Sequence, residues 1–299
     1  MHNRFLIACL SLLGAVVPHA AALAAGAPAA QAQAQAQGST RAVLTLADAP
    51  LRLIRGATVF KAANGVALQK DDILETGAGG AQVEAGPETF VALGPQTRVL
   101  LAGLPADDRG AIEIALLQGW VKLQAGARAS VASPALQLSF AGGSTIVHAG
   151  EGQDAVFAES GAQQLIRFDT PAAKGKAPLK LAAEQYVALD PARPQLAPGR
   201  PAHAFLAALP PAFRDRLARA PHLANAGKLA PVKEREADFA DVAPWLQAAL
   251  PVRKNFVARF RPRLADPAFR RELDHALGQS ADWKPVLHPA RPDHQKETT

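Results

Sequence analysis

The feature that most constrains the fold of this chain is a change in hydrophobic periodicity about two thirds of the way along it. Within residues 41–190, short apolar runs alternate with glycines at a spacing of roughly 8–12 residues, which is typical of β sandwiches and barrels. Beyond this region the apolar residues recur at helical spacing: Asp266 is suited to cap a helix in which Phe269 and Leu273 share one face. The sequence therefore predicts an all-β fold, a sandwich or roll of short antiparallel strands, followed by a small C-terminal α-helical module.

A proline-rich stretch, residues 191–211, separates these two regions. Because proline lacks a backbone N–H and disfavours both helices and central strands, we expect an extended linker there. The charge balance changes at nearly the same point: the chain holds 15 basic and 15 acidic side chains through residue 199, and 17 and 11 respectively after it. We therefore predict that a β domain (41–190) and a helical module (212–288) fold separately, and that residues 289–299 form a polar tail.

The N-terminus has the layout of a secretory signal peptide. Residues 1–4 carry a basic side chain, residues 5–17 are apolar, and small residues suited to cleavage follow, for example after Ala24. The apolar run is shorter than the roughly 20 residues that a transmembrane helix requires. We therefore predict a cleaved signal peptide (1–24) and export, with a retained N-terminal anchor as the alternative, followed by a flexible Ala/Gln-rich spacer (25–40).

Three stretches of the β region resemble the FecR-type periplasmic domain. Residues 68–77 are similar to the Leu-x-x-Gly-Asp-x-Leu-x-Thr-Gly step of that family, residues 81–100 to its paired strands, and residues 117–143 to its second half. Together they lie in a region that covers about half of the chain. The motifs consist of residues that favour turns, not of catalytic residues. The resemblance implies a periplasmic location and a role in binding or signal transduction.

The chain departs from the family pattern in two turns. Asp71 takes the place of a glycine, and Ala85 and Pro87 take the places of an aspartate and a serine, so we expect these hairpin turns to differ. The best-known members of the family are transmembrane regulators with a cytoplasmic anti-sigma segment ahead of the span. Because only four residues precede the apolar run here, we expect a stand-alone, secreted member.

Five residues are predicted to form turns between strands: Asn64, Gly65, Gly77, Gly86 and Gly119. The dipeptide Asn64-Gly65 is a strong hairpin signal, because both residue types tolerate a left-handed backbone. The other three glycines stand where tight turns would require the same conformational freedom.

The sequence contains no catalytic or metal-binding constellation that we recognise. The Gly-x-Ser-x-Gly, Ser-x-x-Lys and His-Glu-x-x-His motifs are absent. Ser144 and His148 would share a strand face about 13 Å apart, which is too far for direct proton transfer. Cys9 is the only cysteine, which excludes an internal disulfide framework and a multi-cysteine zinc site. We therefore expect no cofactor, no metal and no enzymatic activity.

The helical module carries a basic cluster that is suited to an anionic partner such as lipid headgroups or other phosphates. Its members are Arg253, Lys254, Arg259, Arg261, Arg263, Arg270 and Arg271. The alternative is an ordinary solvated helix face, in which the long side-chain stems cover Phe256 and Phe260. We expect no nucleic-acid partner, because an exported protein rarely meets one.

Three functions are consistent with these observations. The first is an exported envelope protein without enzymatic activity, whose β domain binds a protein or glycan partner. The second is a periplasmic sensor component that relays a signal to a membrane regulator. The third is an enzyme acting on cell-wall glycan, which needs two carboxylates about 5–10 Å apart in a cleft. The acidic turns at 107–108 and 151–154 are its sequence candidates.

Overall fold

The computed structural model describes residues 42–107, 110–150, 154–168, 177–190, 192, 195–221 and 225–289, which belong to one compact unit. The predicted signal peptide (1–24), the spacer (25–40) and all but the first residue of the polar tail (289–299) lie outside the described residues. Among the described residues, no helix is long and apolar enough to cross a membrane.

The described part of the chain contains fifteen strands, and every pairing between them is antiparallel. They are β1 Ala42–Ala47, β2 Leu51–Arg55, β3 Thr58–Ala62, β4 Ala67–Leu68, β5 Ile73–Glu75, β6 Ala81–Ala85, β7 Thr89–Leu93, β8 Arg98–Gly103, β9 Ile112–Ala132, β10 Leu136–Ala149, β11 Asp154–Ser160, β12 Gln163–Arg167, β13 Leu179–Leu181, β14 Gln185–Leu189 and β15 Val232–Glu236. The predicted all-β class with a few short C-terminal helices is confirmed.

The strands form one curled sheet in which the long strand β9 is the central element. Along one path the hydrogen-bonded order is β15-β3-β2-β5-β8-β9-β7-β6-β1-β4, and β10 links β9 to β11, β12, β13 and β14. The first part of β9 pairs with β8, whereas its second part pairs with β7 on one side and with β10 on the other. The two parts of β9 therefore have different hydrogen-bonded neighbours.

Gly119 marks the point at which β9 exchanges β8 for β7. Its φ is 91°, and a Cβ atom there would lie 2.4 Å from the Oγ1 atom of Thr97. That Oγ1 atom accepts a hydrogen bond from the backbone N–H of Trp120 at 2.9 Å. The prediction of a turn between strands is therefore wrong at Gly119, where the glycine permits a bend inside a continuous strand.

The other predicted turn residues have different surroundings. Gly86 has a φ of 88° and lies in the hairpin between β6 and β7, where the sequence predicts a turn. Asn64 and Gly65 form a turn but not a hairpin, because β3 pairs with β2 and β15 while β4 pairs with β1. Gly77 lies outside the left-handed region, and a Cβ atom there would meet nothing within 4 Å, so its backbone does not require glycine.

Asp71, which replaces a glycine of the FecR pattern, adopts a left-handed backbone with a φ of 67°. Aspartate tolerates this conformation better than most residues. Its N–H donates to the carbonyl of Leu101 at 2.8 Å, and its carbonyl accepts from the Arg259 guanidinium. Asp71 therefore occupies a turn whose backbone conformation favours glycine and which aspartate tolerates.

Alternate residues of the strands fill the interior of the curled sheet. Val83, Val91, Leu123 and Val147 come from four neighbouring strands, β6, β7, β9 and β10, and all are buried in this inner core. Because side chains alternate along a strand, the residues between them point to the outer face of the sheet. Lys122, next to Leu123, is one of these outward residues.

Five α-helices occur in the described C-terminal third: α1 His203–Ala208, α2 Phe239–Gln247, α3 Arg253–Phe260, α4 Pro267–Leu277 and α5 Lys284–Leu287, with 3-10 turns at Pro211–Phe213 and Arg261–Ala265. Asp238 begins α2 through a reciprocal hydrogen-bonded cap with Asp241. Asp266 begins α4 by accepting from the N–H groups of Ala268 and Phe269, at the position that the sequence predicts.

These C-terminal elements cover two separate apolar patches on the outer face of the sheet. Residues 237–287, here called the cap, cover a patch from β2, β3, β5, β8 and β9 that includes Ile54, Ile73 and Leu100. Residues 203–221, here called the strap, cover a second patch from β7, β10 and β11 that includes Phe90 and Ile146. Each patch would be exposed to water without its covering.

This packing contradicts the prediction that the helical module (212–288) folds separately from the β domain. Trp245 and Phe256 of the cap share one buried cluster with residues of five strands. Residues 232–236, inside the predicted helical module, form β15 and pair with β3. The predicted linker (191–211) contains α1 and an antiparallel bridge between Gly199 and Tyr186. The outer face of the sheet is itself apolar, so the C-terminal third packs on it instead of standing apart.

Candidate functional site

The candidate functional site is an open groove of about 900 Å³ between the strap and four strands of the sheet. Arg216, Leu217 and Ala218 form the strap side, and β7, β9, β10 and β11 supply the floor and the opposite side. The polar side chains in the groove include Lys122, Ser144 and Glu159. A groove of this size with a few placed polar groups is suited to binding.

Lys122 is a buried ammonium at the floor of the groove. Its side chain is 2% exposed, and its Nζ atom donates to Glu159 Oε1 at 2.8 Å, to the carbonyl of Phe213 at 2.9 Å and to the carbonyl of Asp215 at 2.8 Å. An ammonium group has three protons, so these three bonds satisfy it completely. A buried charge is stable only when it is paired and hydrogen-bonded in this way. Lys122 therefore fastens the strap to the sheet.

Glu159 joins Lys122 to the hydroxyl of Ser144. Ser144 Oγ donates to Glu159 Oε2 at 2.6 Å, while Oε1 accepts from Lys122. A bulge in β10 precedes Ser144, between Ala141 and Gly143. Gly143 has a φ of 133°, and a Cβ atom there would lie 2.3 Å from the carbonyl oxygen of Ser160. Both Glu159 oxygens are engaged within the protein, so the group forms a fixed polar floor.

Side chains of β6 and β9 bond to the main chain of the strap beyond Lys122. Gln124 Nε2 donates to the carbonyl of Leu217 at 3.4 Å, and Gln82 Nε2 donates to the carbonyl of Ala218 at 2.9 Å. Glu84 accepts from the N–H of Ala220 at 2.7 Å and from the guanidinium of Arg219 at 3.0 Å. Residues 82 and 84, like residues 122 and 124, lie two apart on one strand face, which aligns them along the strap.

The strap also inserts apolar side chains into the patch beneath it. Phe213 is 1% exposed and Leu217 is 6% exposed, and both pack with Phe90 and Ile146. Near the start of the strap, Phe205 packs against the ring of Tyr186, with 4.8 Å between the ring centroids. Burial raises the pKa of Tyr186 above its ordinary value.

Four members of the predicted basic cluster have partners within the protein. Arg259 donates to the carbonyls of Ile54, Gly56 and Asp71 at 2.8, 2.7 and 2.6 Å, and burial lowers its pKa to about 10. Arg253 pairs with Asp282, Arg263 bonds to Ala237 and Asp266, and Arg270 donates to the carbonyl of Leu287. These four arginines hold the cap together or attach it to the sheet.

The remaining members of that cluster, Lys254, Arg261 and Arg271, are exposed. Their role toward an anionic partner stays a prediction.

The other sequence candidates do not assemble into a reactive site within the described residues. His148 stacks on Trp120, with ring centroids 4.2 Å apart, and Ser144 bonds to Glu159 instead. Asp108 and Glu151 lie outside the described residues. Across the described ranges, no three His, Cys, Asp or Glu side chains converge to hold a metal ion.

No protein-family model and no curated protein matches the chain. Two crystal structures of a candidate anti-sigma factor from Parabacteroides distasonis ATCC 8503 are similar to part of it, with TM-scores of 0.35 and 0.36 and 13% sequence identity. Each alignment covers 43% of this chain and 59% of the other, so the match spans about three fifths of those structures. The resemblance to the FecR-type domain rests on the sequence motifs alone.

Proposed function

We propose that this chain is a binding protein without enzymatic activity, and that a protein partner occupies the groove beside the strap. The observation that supports this proposal is the fixed polar floor of Lys122, Glu159 and Ser144, which are hydrogen-bonded to one another and, through Lys122, to the strap. Such a floor is rigid before a partner arrives, which favours binding. Glu88 and Arg216 are exposed at the groove and offer a charge of each sign to a partner.

Site-specific photocrosslinking tests the groove directly. A photoreactive residue at position 88 or 216 is expected to give one discrete protein adduct in the cells that produce the chain. The same residue at Glu234, which is exposed on the edge strand β15, serves as the control. Equal labelling from all three positions, or no protein adduct from the groove, would contradict the proposal.

The glycan-hydrolase alternative has one point in its favour, since Glu88 and Glu159 line the same groove. However, Glu159 has both oxygens engaged, by Lys122 and by Ser144, which leaves Glu88 as the free carboxylate of the two. We therefore expect the purified protein to release no soluble fragments from cell-wall glycan. If the protein does release fragments, and the substitution Glu88→Gln abolishes that release, the chain is an enzyme instead.

We further propose that the chain is exported to the periplasm, on the basis of its N-terminal segment and its FecR-like motifs. N-terminal sequencing of the mature protein is expected to begin near residue 25. A sensor role is the second candidate function, and the motifs at 68–77 and 81–100 favour it. Deletion of the gene followed by transcript profiling separates the two functions: a sensor changes a defined set of transcripts, and a binding protein alone does not.

A further inference from the structure

The main chain of the strap is bonded in an unusual way. Residues 214–221 contain neither helix nor strand, and within the described residues their main chain makes no backbone hydrogen bond to the sheet. Buried main chain is usually satisfied by other main chain. Here side chains of β6 and β9 supply the bonds instead, to the carbonyls of Phe213, Asp215, Leu217 and Ala218.

This arrangement is how a peptide is bound on a protein surface. In the strap, Lys122, Gln124 and Gln82 bond only to backbone carbonyls, which every peptide has, so they contribute affinity without selecting a sequence. Selection comes from the side chains that enter pockets, as in known modes of extended-peptide recognition. In the strap these side chains are Phe213 and Leu217, four residues apart and both buried.

A third side chain of the strap adds a charged determinant. Arg219 pairs with Glu84 at 3.0 Å, donates to the carbonyl of Pro87 at 2.7 Å and lies 5.8 Å from the ring centroid of Phe90. The strap therefore presents Phe-x-x-x-Leu-x-Arg to complementary groups on the sheet. The open groove runs alongside this segment, so a second peptide can reach the same face.

We propose that the outer face of β6, β7 and β9 is a peptide-binding track which the strap occupies within its own chain. An extended segment of a protein partner, with Phe-x-x-x-Leu-x-Arg chemistry, replaces the strap on this track. The proposal rests on the proposed binding function: the partner that occupies the groove extends onto the adjoining track, with which the groove shares Phe90, Lys122 and Gln124. It adds to that function the class of ligand and a competitor within the same chain. Because a tethered segment acts at a high effective concentration, the strap sets a minimum affinity that a partner peptide needs in order to bind.

The test uses the full mature chain and a labelled peptide that corresponds to residues 210–220. Fluorescence anisotropy is measured with the parent chain, with the double variant Phe213→Ala/Leu217→Ala and with the milder variant Leu217→Ala. Weakening the tethered competitor is expected to tighten peptide binding by at least about tenfold in the double variant. Circular dichroism verifies that each variant is folded, and Leu217→Ala carries the test if the double variant is not.

The control changes the probe and leaves the protein intact. A peptide with alanine at the positions of Phe213 and Leu217 is expected to lose binding to the strap variants. Equal binding of both peptides, or no gain over the parent chain, would overturn the proposal. The photocrosslinking test and the peptide test can fail separately. Adducts from the groove without peptide binding would overturn the peptide-binding track and leave the binding function standing. Peptide binding without adducts would support the track and contradict the claim that a partner occupies the groove.

Discussion

The cap and the strap cover two patches of the same sheet, but they are held by different kinds of contact. The cap buries large aromatic side chains, including Trp245, Phe256 and Trp283, beneath regular helices, of which α2 and α4 begin with side-chain caps. The strap has one short helix, a single 3-10 turn and an irregular segment whose main chain bonds to side chains.

Polar contacts reinforce this difference. Beneath the cap, Trp245 Nε1 donates to Glu75 at 3.3 Å, and Arg52 pairs with both Glu75 and Asp241. These groups link the cap to the outer face of the sheet at several points. The strap is fixed mainly through Lys122, Gln82, Gln124 and Glu84, next to an open groove. From this comparison we expect the cap to unfold only with the core, and the strap to leave the sheet while the rest remains folded.

The largest expected effect is on the cap. Trp245 is fully buried, so Trp245→Ala is expected to lower the free energy of unfolding by about 4 kcal/mol, through lost burial and the cavity that remains. Urea unfolding measures this loss, with Val232→Ala as the control because Val232 is 68% exposed. A loss below about 1 kcal/mol would contradict the assignment of the cap to the folded core.

Lys122→Met is expected to act chiefly on the strap. It leaves the carbonyls of Phe213 and Asp215 and the carboxylate of Glu159 without their buried partner, which costs about 3 kcal/mol while the strap stays in place. Release of the strap lets water reach the two carbonyls. Trypsin cleavage within the strap is therefore expected to accelerate about 10²-fold, with Lys61→Met as the exposed control. Unchanged cleavage would mean that Lys122 does not fasten the strap.

The basic cluster offers a smaller contrast within the cap. Arg259→Ala removes the donor from three backbone carbonyls and is expected to lower stability by about 2 kcal/mol. The triple substitution of Lys254, Arg261 and Arg271 by alanine is expected to change stability by less than about 0.5 kcal/mol, because these side chains are exposed. Thermal unfolding compares the two variants, and equal losses would contradict the division of the cluster into structural and surface members.

The smallest expected effect is a pH dependence of the cap. Burial alone would raise the pKa of Asp241, but bonds from Arg235 and the backbone of Asp238, with the charge of Arg52, lower it below the ordinary value. A carboxyl whose pKa is lowered in the folded state stabilises the fold above its ordinary pKa, near 4, and loses that contribution as the pH falls through the lowered value.

Urea unfolding at pH 7 and pH 3 is therefore expected to differ less in Asp241→Asn than in the parent chain. The same pH dependence in both proteins would remove Asp241 as a cause.

Much of this architecture could be predicted from the sequence, because strands reveal their buried face by alternation. The β region and the start of α4 at Asp266 follow from local patterns of apolar and capping residues. The strand β15 has no such pattern: its five residues are all exposed on a sheet edge, so nothing in Val-Lys-Glu-Arg-Glu alternates.

The candidate site could not be predicted for a different reason. Lys122 and Glu159 are 37 residues apart, and they meet because β10 pairs with both β9 and β11. A signal is present in retrospect, since Lys122 lies between Val121 and Leu123 and so must face outward from an apolar strand. The covering that makes it buried, however, comes from the strap almost a hundred residues later. Alternation identifies the outer face of a strand, but not what packs on that face.

The most direct test of the account is native-state proteolysis of the parent chain by trypsin at increasing urea concentrations. The strap carries exposed arginines at 214 and 216, and the cap carries them at 270 and 271. We predict early cleavage in the strap, at a rate that depends little on urea, because local release exposes little new surface. Cleavage in the cap is expected only with global unfolding. Cleavage of both regions at the same rate and with the same urea dependence would contradict the claim that the strap is released independently.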